Sequence, residues 1–189
     1  MTFTFALKSL FNLEISNEEL MHRYRQSGDS ELLARLYDNC ADDLFHFLVC
    51  QSDAELAREI AQRTWLRVIE RRHLFASDSQ FKAWLFTLGR NLLMDEYRRQ
   101  KRWQGDDSAL PQIVGEDSAT QHPLQSEMAM FETALAALPF EQREAFVLQQ
   151  EGFGLLDIAH ITGESQETIK SRLRYARQKL RQHIEKHHE

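Results

Sequence analysis

The chain has 189 residues, 42% of them apolar, with 23 Lys and Arg against 29 Asp and Glu and a formal net charge of −6. That is enough apolar material for one or two small domains with real cores, and it excludes a disordered chain. No apolar run is long enough to span a bilayer, and the apolar stretch up to Leu13 lacks the basic start and small-residue cleavage site of a secretory signal, so a cytoplasmic protein without membrane insertion is expected.

The three prolines, Pro111, Pro123 and Pro139, leave everything before them free to form nearly uninterrupted helix, and no alternating valine-rich strand pattern occurs. An all-α fold follows. Ile15–Gln26 and Ser30–Val49 form a first amphipathic pair broken at Gly28-Asp29, with Leu32, Leu33, Leu36, Leu44, Phe45, Phe47 and Leu48 at helical spacing. Cys40 and Cys50 lie in that apolar context and read as reduced, buried thiols rather than a disulfide or metal pair. A third helix, Asp53–Arg71, directs Leu56, Ile60, Leu66 and Ile69 broadly inward and leaves Arg58, Glu59, Gln62 and Arg63 on an outer face that is a candidate protein-docking surface, although every amphipathic helix has a polar face.

His73–Gln80 reads as a loop, with Ser79 placed to cap a helix over Phe81–Gln100. Phe81, Trp84, Leu85, Leu88, Leu92 and Leu93 form its apolar stripe, and Lys82, Arg90, Arg98, Arg99, Lys101 and Arg102 lie along or just beyond it. Phe81, Trp84, Phe86, Tyr97 and Trp103 are interleaved with those cations, a combination used where unstacked bases rest on rings while phosphates meet cations. Phe81 and Trp84 read as ordinary core rather than as stacking rings, which leaves Tyr97 and Trp103 as the open cases.

Gln104–Pro123 combines Gly, Pro and Ser with Asp106, Asp107, Glu116 and Asp117, and is a linker that spans at most about 65–70 Å. It also explains the net charge. Met1–Trp103 and Ala134–Glu189 are each neutral, and all six excess negatives, including Glu127 and Glu132, lie in Gln104–Thr133, which has no Lys or Arg. The expected organisation is an N-terminal helical domain over 1–103, an acidic flexible linker over 104–123 and a C-terminal helical domain over 124–189.

The last domain contains a helix-turn-helix pattern. Ile158, Ala159 and Ile161 are apolar at helical spacing, Gly163 supplies a turn residue, and Ile169, Leu173, Ala176 and Leu180 restart the stripe, with Ser165 as cap. The second helix displays Lys170, Arg172, Arg174, Arg177, Lys179 and Arg181, with Glu167 its one acid up to that point. Such a cylinder suits a phosphate-lined groove, with bases read from its N-terminal half. At the C-terminus His183 and His187 have the spacing of two ligands on one helical face, but no third ligand is evident, and neither a metal site nor a cofactor site is assigned.

Two segments together are similar to the sigma factors of bacterial RNA polymerase, specifically the small extracytoplasmic-function group. Phe81 through Arg99, reading FKAWLFTLGRNLLMDEYRR, resembles the family's segment that opens and reads the minus-ten promoter element, and Leu138-Pro139 through Arg177 resembles its minus-thirty-five reader. Ala57–Val68, AREIAQRTWLRV, more weakly resembles the helix that docks on the polymerase clamp.

The resemblance implies a non-enzymatic factor that binds core RNA polymerase and promoter DNA, melts the minus-ten element, and answers to an anti-sigma factor. It implies minus-thirty-five contacts from Ser165, Gln166, Glu167, Lys170, Ser171, Arg174 and Tyr175, with Arg172 and Arg177 on phosphates. Minus-ten contacts would come from the loop holding Phe75, Ser77 and Asp78 and from Lys82, Arg90, Asn91, Arg98 and Arg99, with Asn91 where the family holds a flipped base. Polymerase contacts would come from Arg58, Glu59, Gln62, Arg63 and Trp65. Three positions depart from the pattern: Arg63 stands where an acid is usual, Gly89 where alanine is usual, and Glu167 where a small residue is common. The rival readings are a stand-alone, dimeric helix-turn-helix regulator, which leaves the Phe81–Trp103 segment unexplained, and a metal-dependent nuclease using Asp42, Asp43 or the terminal histidines, for which no paired-carboxylate set falls in a pocket-like segment.

Overall fold

A computed structural model describes residues 15–76, 79–104 and 123–187, and every regular element among them is helical. In chain order these are α1 (Asn17–Ser27), α2 (Ser30–Val49), α3 (Ala54–Arg71) followed by a 3-10 turn (Arg72–Leu74), α4 (Phe81–Gln104), α5 (Pro123–Ala136), α6 (Phe140–Gln150), α7 (Leu155–Thr162) and α8 (Gln166–His187).

The first three helices carry their own start signals. Ser16 accepts from Glu19 N–H at 3.3 Å, Asp29 from Glu31 N–H at 2.9 Å, and Asp53 from the N–H groups of Glu55 and Leu56 at 3.0 and 2.8 Å. Gly28, at φ 68°, ends α1 by donating to Tyr24 O, a left-handed conformation that suits glycine. The start of α4 differs from the sequence expectation. The Glu18 carboxylate, reaching from α1, accepts from Phe81 N–H at 3.1 Å. The helix is therefore capped across 63 residues of chain, and it runs to Gln104 rather than Gln100.

Helices α1 to α4 pack around Leu20, Met21, Leu36, Leu44, Phe47, Ile60, Val68, Phe81, Leu85 and Leu93, all fully buried. Cys40 is buried with them, Cys50 is half-buried, and both are free thiols. Along α3 the inward face is Ala57, Ile60, Thr64, Trp65 and Val68, so two inward assignments fail: Leu66 is 57% exposed and Ile69 38%. The helical period explains it. Ile60, Thr64 and Val68 follow at i+4, whereas Leu66 and Ile69 continue the outer row of Glu59 and Gln62.

In the C-terminal half, α6, α7 and α8 enclose Leu148, Phe153, Ile158, Ile161, Ile169 and Leu173, while α5 lies on α8 through Phe131, Ala134, Leu138, Ala176 and Leu180. The two halves touch. The apolar core continues from one into the other, with α4 against α7; Phe86 meets Phe153 edge-on at 4.9 Å between ring centroids, and Tyr97 meets Phe140 at 6.1 Å.

Gly89 sits where α4 packs against both α2 and α3. A Cβ there would lie 3.0 Å from Leu44 Cδ1 and 3.3 Å from Thr64 Oγ1. Leu44 is fully buried, and Thr64 is buried with its hydroxyl donating to Ile60 O at 2.7 Å, so neither neighbour gives way easily. Gly89→Ala would gain about 1 kcal/mol of helix propensity and lose about 1–3 kcal/mol to overpacking. The expected outcome is a net loss of about 1 kcal/mol in urea unfolding, where an exposed helical glycine would show a gain.

Candidate nucleic-acid interface

Local chemistry shapes the helix-turn-helix. Asp157 in the first turn of α7 accepts from Gly154 N–H at 3.1 Å, Gly163 ends the helix at φ 73°, and Ser165 Oγ accepts from Thr168 N–H at 3.1 Å to start α8. Ile158, Ala159, Ile169 and Leu173 bury the seam between the two helices. The opposite side of α8 faces solvent.

On that side Ser165, Gln166, Glu167, Lys170, Ser171, Arg174, Tyr175 and Arg177 are all exposed. Three internal contacts order their heads: Lys170 Nζ lies 2.7 Å from Glu167 Oε1, Arg174 stacks over the Tyr175 ring at 4.9 Å, and Arg177 donates to Gln149 Oε1 at 2.6 Å. Arg172 is half-buried and donates to Glu164 Oε1 at 2.8 Å, which holds it against the turn.

The residues assigned to minus-ten reading fall into different environments. Phe75 is 1% exposed, ringed by His22, Phe81 and Trp84, and belongs to the core rather than to a reading surface. Ser77 and Asp78 lie outside the described residues. Asn91 is exposed. Arg98 pairs with Asp95 at 2.6 Å, and Arg99 donates to the buried carboxylate of Glu96 at 2.8 Å.

Lys82 and Arg90, expected to face DNA, instead meet the C-terminal half. Arg90 donates through Nε at 2.7 Å and Nη2 at 3.2 Å to the two oxygens of Glu144, whose side chain is 1% exposed. Lys82 Nζ lies 2.7 Å from Asp43 Oδ2 and donates to Glu151 O at 2.8 Å, between the rings of Phe86 and Phe153. His46 Nδ1 is 2.6 Å from Glu151 Oε1. Arg143, 1% exposed, stacks on Phe140 and donates to Gln51 Oε1 at 3.3 Å and to the carbonyls of Ala136 and Leu138. Tyr97 Oη donates to Gln51 O at 2.6 Å, and burial pushes its phenol up to about 12.

Burial also raises the Glu144 carboxyl, opposed by the hydrogen bonds and charge of Arg90, and it lowers the Arg143 guanidinium. The sequence reading missed Glu144 and Glu151. A signal was present for the first: Arg143-Glu144 interrupts the otherwise apolar face of α6 formed by Phe140, Ala145, Val147 and Leu148.

On the surface assigned to polymerase, Arg58, Glu59 and Gln62 are exposed, whereas Trp65 is 8% exposed, packed between Tyr37 and Phe81. Trp65 thus supports the face rather than presenting its ring. Arg63 lies 3.3 Å from Glu59 Oε1 and 3.7 Å from Glu96 Oε2, which gives the departure from the family's usual acid an internal role.

This arrangement defines a two-domain helical protein that presents one basic helix to solvent and holds a second basic helix against itself. Residues 36–103 match the sigma-70 region 2 family model and residues 128–180 the sigma-70 region 4 model. The sigma factor RpoE of Cereibacter sphaeroides is 33% identical over 170 residues, covering 87% of this chain and 93% of that one. The sigma factor EcfG of Rhodopseudomonas palustris is 37% identical over 131 residues, 68% of this chain and 71% of the relative. Among solved structures, RpoE of Bartonella quintana in complex with the anti-sigma factor NepR is 29% identical and superposes with a TM-score of 0.66, over 80% of this chain and 96% of the other. The chain belongs to the extracytoplasmic-function group of bacterial RNA polymerase sigma factors, and it directs promoter-specific transcription initiation.

Arg90–Glu144 is a bidentate, largely buried tie between the halves. Removing one partner leaves the other charge poorly compensated, so Arg90→Ala should weaken docking by about 3–5 kcal/mol. Small-angle scattering of the full chain is expected to show a larger radius of gyration for Arg90→Ala than for the native chain. An unchanged radius would mean that the apolar contacts suffice without the pair.

Proposed function

We propose that α8 reads the minus-thirty-five element in the major groove, while α4 and the loop before it capture an unpaired minus-ten base beside Asn91. The observation that carries this reading is the uninterrupted solvent-facing side of α8, where the N-terminal half offers Gln166, Glu167, Lys170, Ser171, Arg174 and Tyr175. Arg172 and Arg177 would hold the flanking phosphates. The outer row of α3, with Arg58, Glu59 and Gln62 joined by exposed Leu66 and Ile69, supplies a mixed polar and apolar face for core polymerase.

The state described here is closed. Lys82 and Arg90 are engaged by Asp43 and by the Glu151 carbonyl and Glu144 carboxylate, so the halves must separate before both cations meet promoter DNA. Core polymerase would supply the opening contacts, and unpairing a base costs a few kcal/mol that trapping at Asn91 helps to offset. A cognate anti-sigma factor would favour the closed state; the solved complex of the Bartonella relative with NepR supports a partner of that kind. The factor contributes no bond-making chemistry of its own and would act in the cytoplasm, beside polymerase and DNA. A stand-alone dimeric regulator would not need the Phe81–Trp103 segment or a sigma-70 region 2 match.

The acidic linker, outside the described residues, carries Asp106, Asp107, Glu116 and Asp117 without a cation between Gln104 and Pro123. We propose that it occupies a polymerase channel built for nucleic acid and mimics its phosphates.

Two outcomes check these roles. In run-off transcription with core polymerase on host genomic fragments, discrete protein-dependent transcripts are expected, and Arg174→Ala should reduce them by roughly 5- to 150-fold, the cost of about 1–3 kcal/mol of lost base readout. Full activity of that variant would remove Arg174 from the reading set. Converting the four linker acids to amides should weaken core binding or shift the ratio of abortive to full-length RNA; if neither changes, the linker is only a tether.

A further inference from the structure

Two arginines cross the seam between the halves, and the chain treats them differently. Arg90 turns its Nε and Nη2 on a carboxylate and is matched by both oxygens of Glu144. Arg143, 1% exposed, turns Nε on an amide, with Gln51 Oε1 accepting at 3.3 Å. Its other bonds run from Nη1 to the carbonyls of Ala136 and Leu138 at 3.0 and 3.1 Å. Among the described residues, every hydrogen-bond acceptor of this buried cation is therefore neutral.

The amide fits that edge only halfway. A guanidinium presents Nε–H and Nη2–H as a fork, whereas a glutamine side chain carries one oxygen and one NH2 group. With Oε1 taking Nε, a donor is left beside a donor: Arg143 Nη2 and Gln51 Nε2 are both buried, and neither has a protein acceptor among the described residues. Each partner is also held by its own half. Gln51, in the turn between α2 and α3, is fully buried, and its carbonyl accepts from Tyr97 Oη at 2.6 Å, while Arg143 keeps Ala136 and Leu138. Separating the halves breaks only the 3.3 Å bond of this set.

We propose that Gln51 is a regulatory residue: an amide at this position keeps the Arg143 joint weak, so that the closed form is held by Arg90–Glu144 yet yields to core polymerase. The inference rests on the closed state of the proposed function and names the side chain that sets its strength. The chemistry of one atom decides it. With a carboxylate at position 51, a second oxygen would accept from Nη2, giving the seam a second bidentate pair and the buried cation a counter-charge. With an apolar side chain of similar length, Nε would lose its acceptor as well. The first change tightens the joint and the second loosens it.

The test sets Gln51→Glu and Gln51→Met, both in the full chain, against the native protein in small-angle scattering and in binding to core polymerase. Replacing a neutral acceptor by a charged, bidentate one is expected to favour the closed form by roughly 5- to 30-fold, so Gln51→Glu should weaken core binding by up to that factor without enlarging the radius of gyration. Gln51→Met should enlarge the radius and bind core polymerase at least as tightly as the native chain. Opposite directions are the signature, since a folding defect or a lost polymerase contact moves both variants the same way. Weaker core binding by both variants overturns the proposal, as does an opening of the chain by Gln51→Glu, which would mean that its carboxylate is buried at a net loss. A native chain that scatters as two separated halves overturns the closed state along with it. Run-off transcription by the native protein tests the sigma-factor reading separately, and that reading stands in each case.

Discussion

A carboxylate buried to 1% exposure needs a partner, and Glu144 finds its hydrogen-bonded one in the other domain. Arg90 answers from α4 with two hydrogen bonds, and the rest of the interface is arranged around that requirement. Phe86 meets Phe153 and Tyr97 meets Phe140 across the same interface, and Arg143 crosses it to Gln51. Charge burial of this kind is weak evidence for extra stability, since desolvation absorbs much of the Coulomb gain. Its effect is on geometry: one register of α4 against α6 and α7 satisfies both ions, and others strand them.

The same pairing links architecture to activity. A helix that must meet DNA phosphates carries cations, and cations exposed in a free factor would attract any nucleic acid nearby. Here the carboxylate of Glu144 and the carbonyl of Glu151 occupy Arg90 and Lys82. The cations of α8 meet only partners of their own half, Glu167, Glu164 and Gln149, so the two basic helices differ in availability within one conformation.

Much of this was legible in the residues. The turn at Gly163, the Ser165 cap and the Ile158-Ala159-Ile169-Leu173 seam follow from local periodicity and turn chemistry, and these are short-range properties that a sequence displays directly. The whole of α4 was also legible in kind, though its cap was not, because Glu18 reaches Phe81 from a distant helix and no local pattern announces it. Leu66 and Ile69 were misassigned since an apolar side chain reads as inward until the helical phase is fixed by Ile60, Thr64 and Val68. Phe75 reads as loop surface because it lies between helices without a helical period to phase it, but three rings, those of His22, Phe81 and Trp84, close over it. The closure of the domains lies beyond any local signal, as it depends on two charges 54 residues apart.

The loop ahead of α4 has both shoulders fastened to the same helix. Arg25 donates to Phe75 O at 2.6 Å and Glu18 accepts from Phe81 N–H at 3.1 Å, both from α1. Neither bond uses a side chain of the loop itself; each grips backbone at its edge. Both bonds depend on Arg25, Glu18 and backbone atoms, in the manner of a clamp that grips a tool by its shank. Side chains between the shoulders can thus vary in sequence while the hydrophobic core stays under no obligation to change with them.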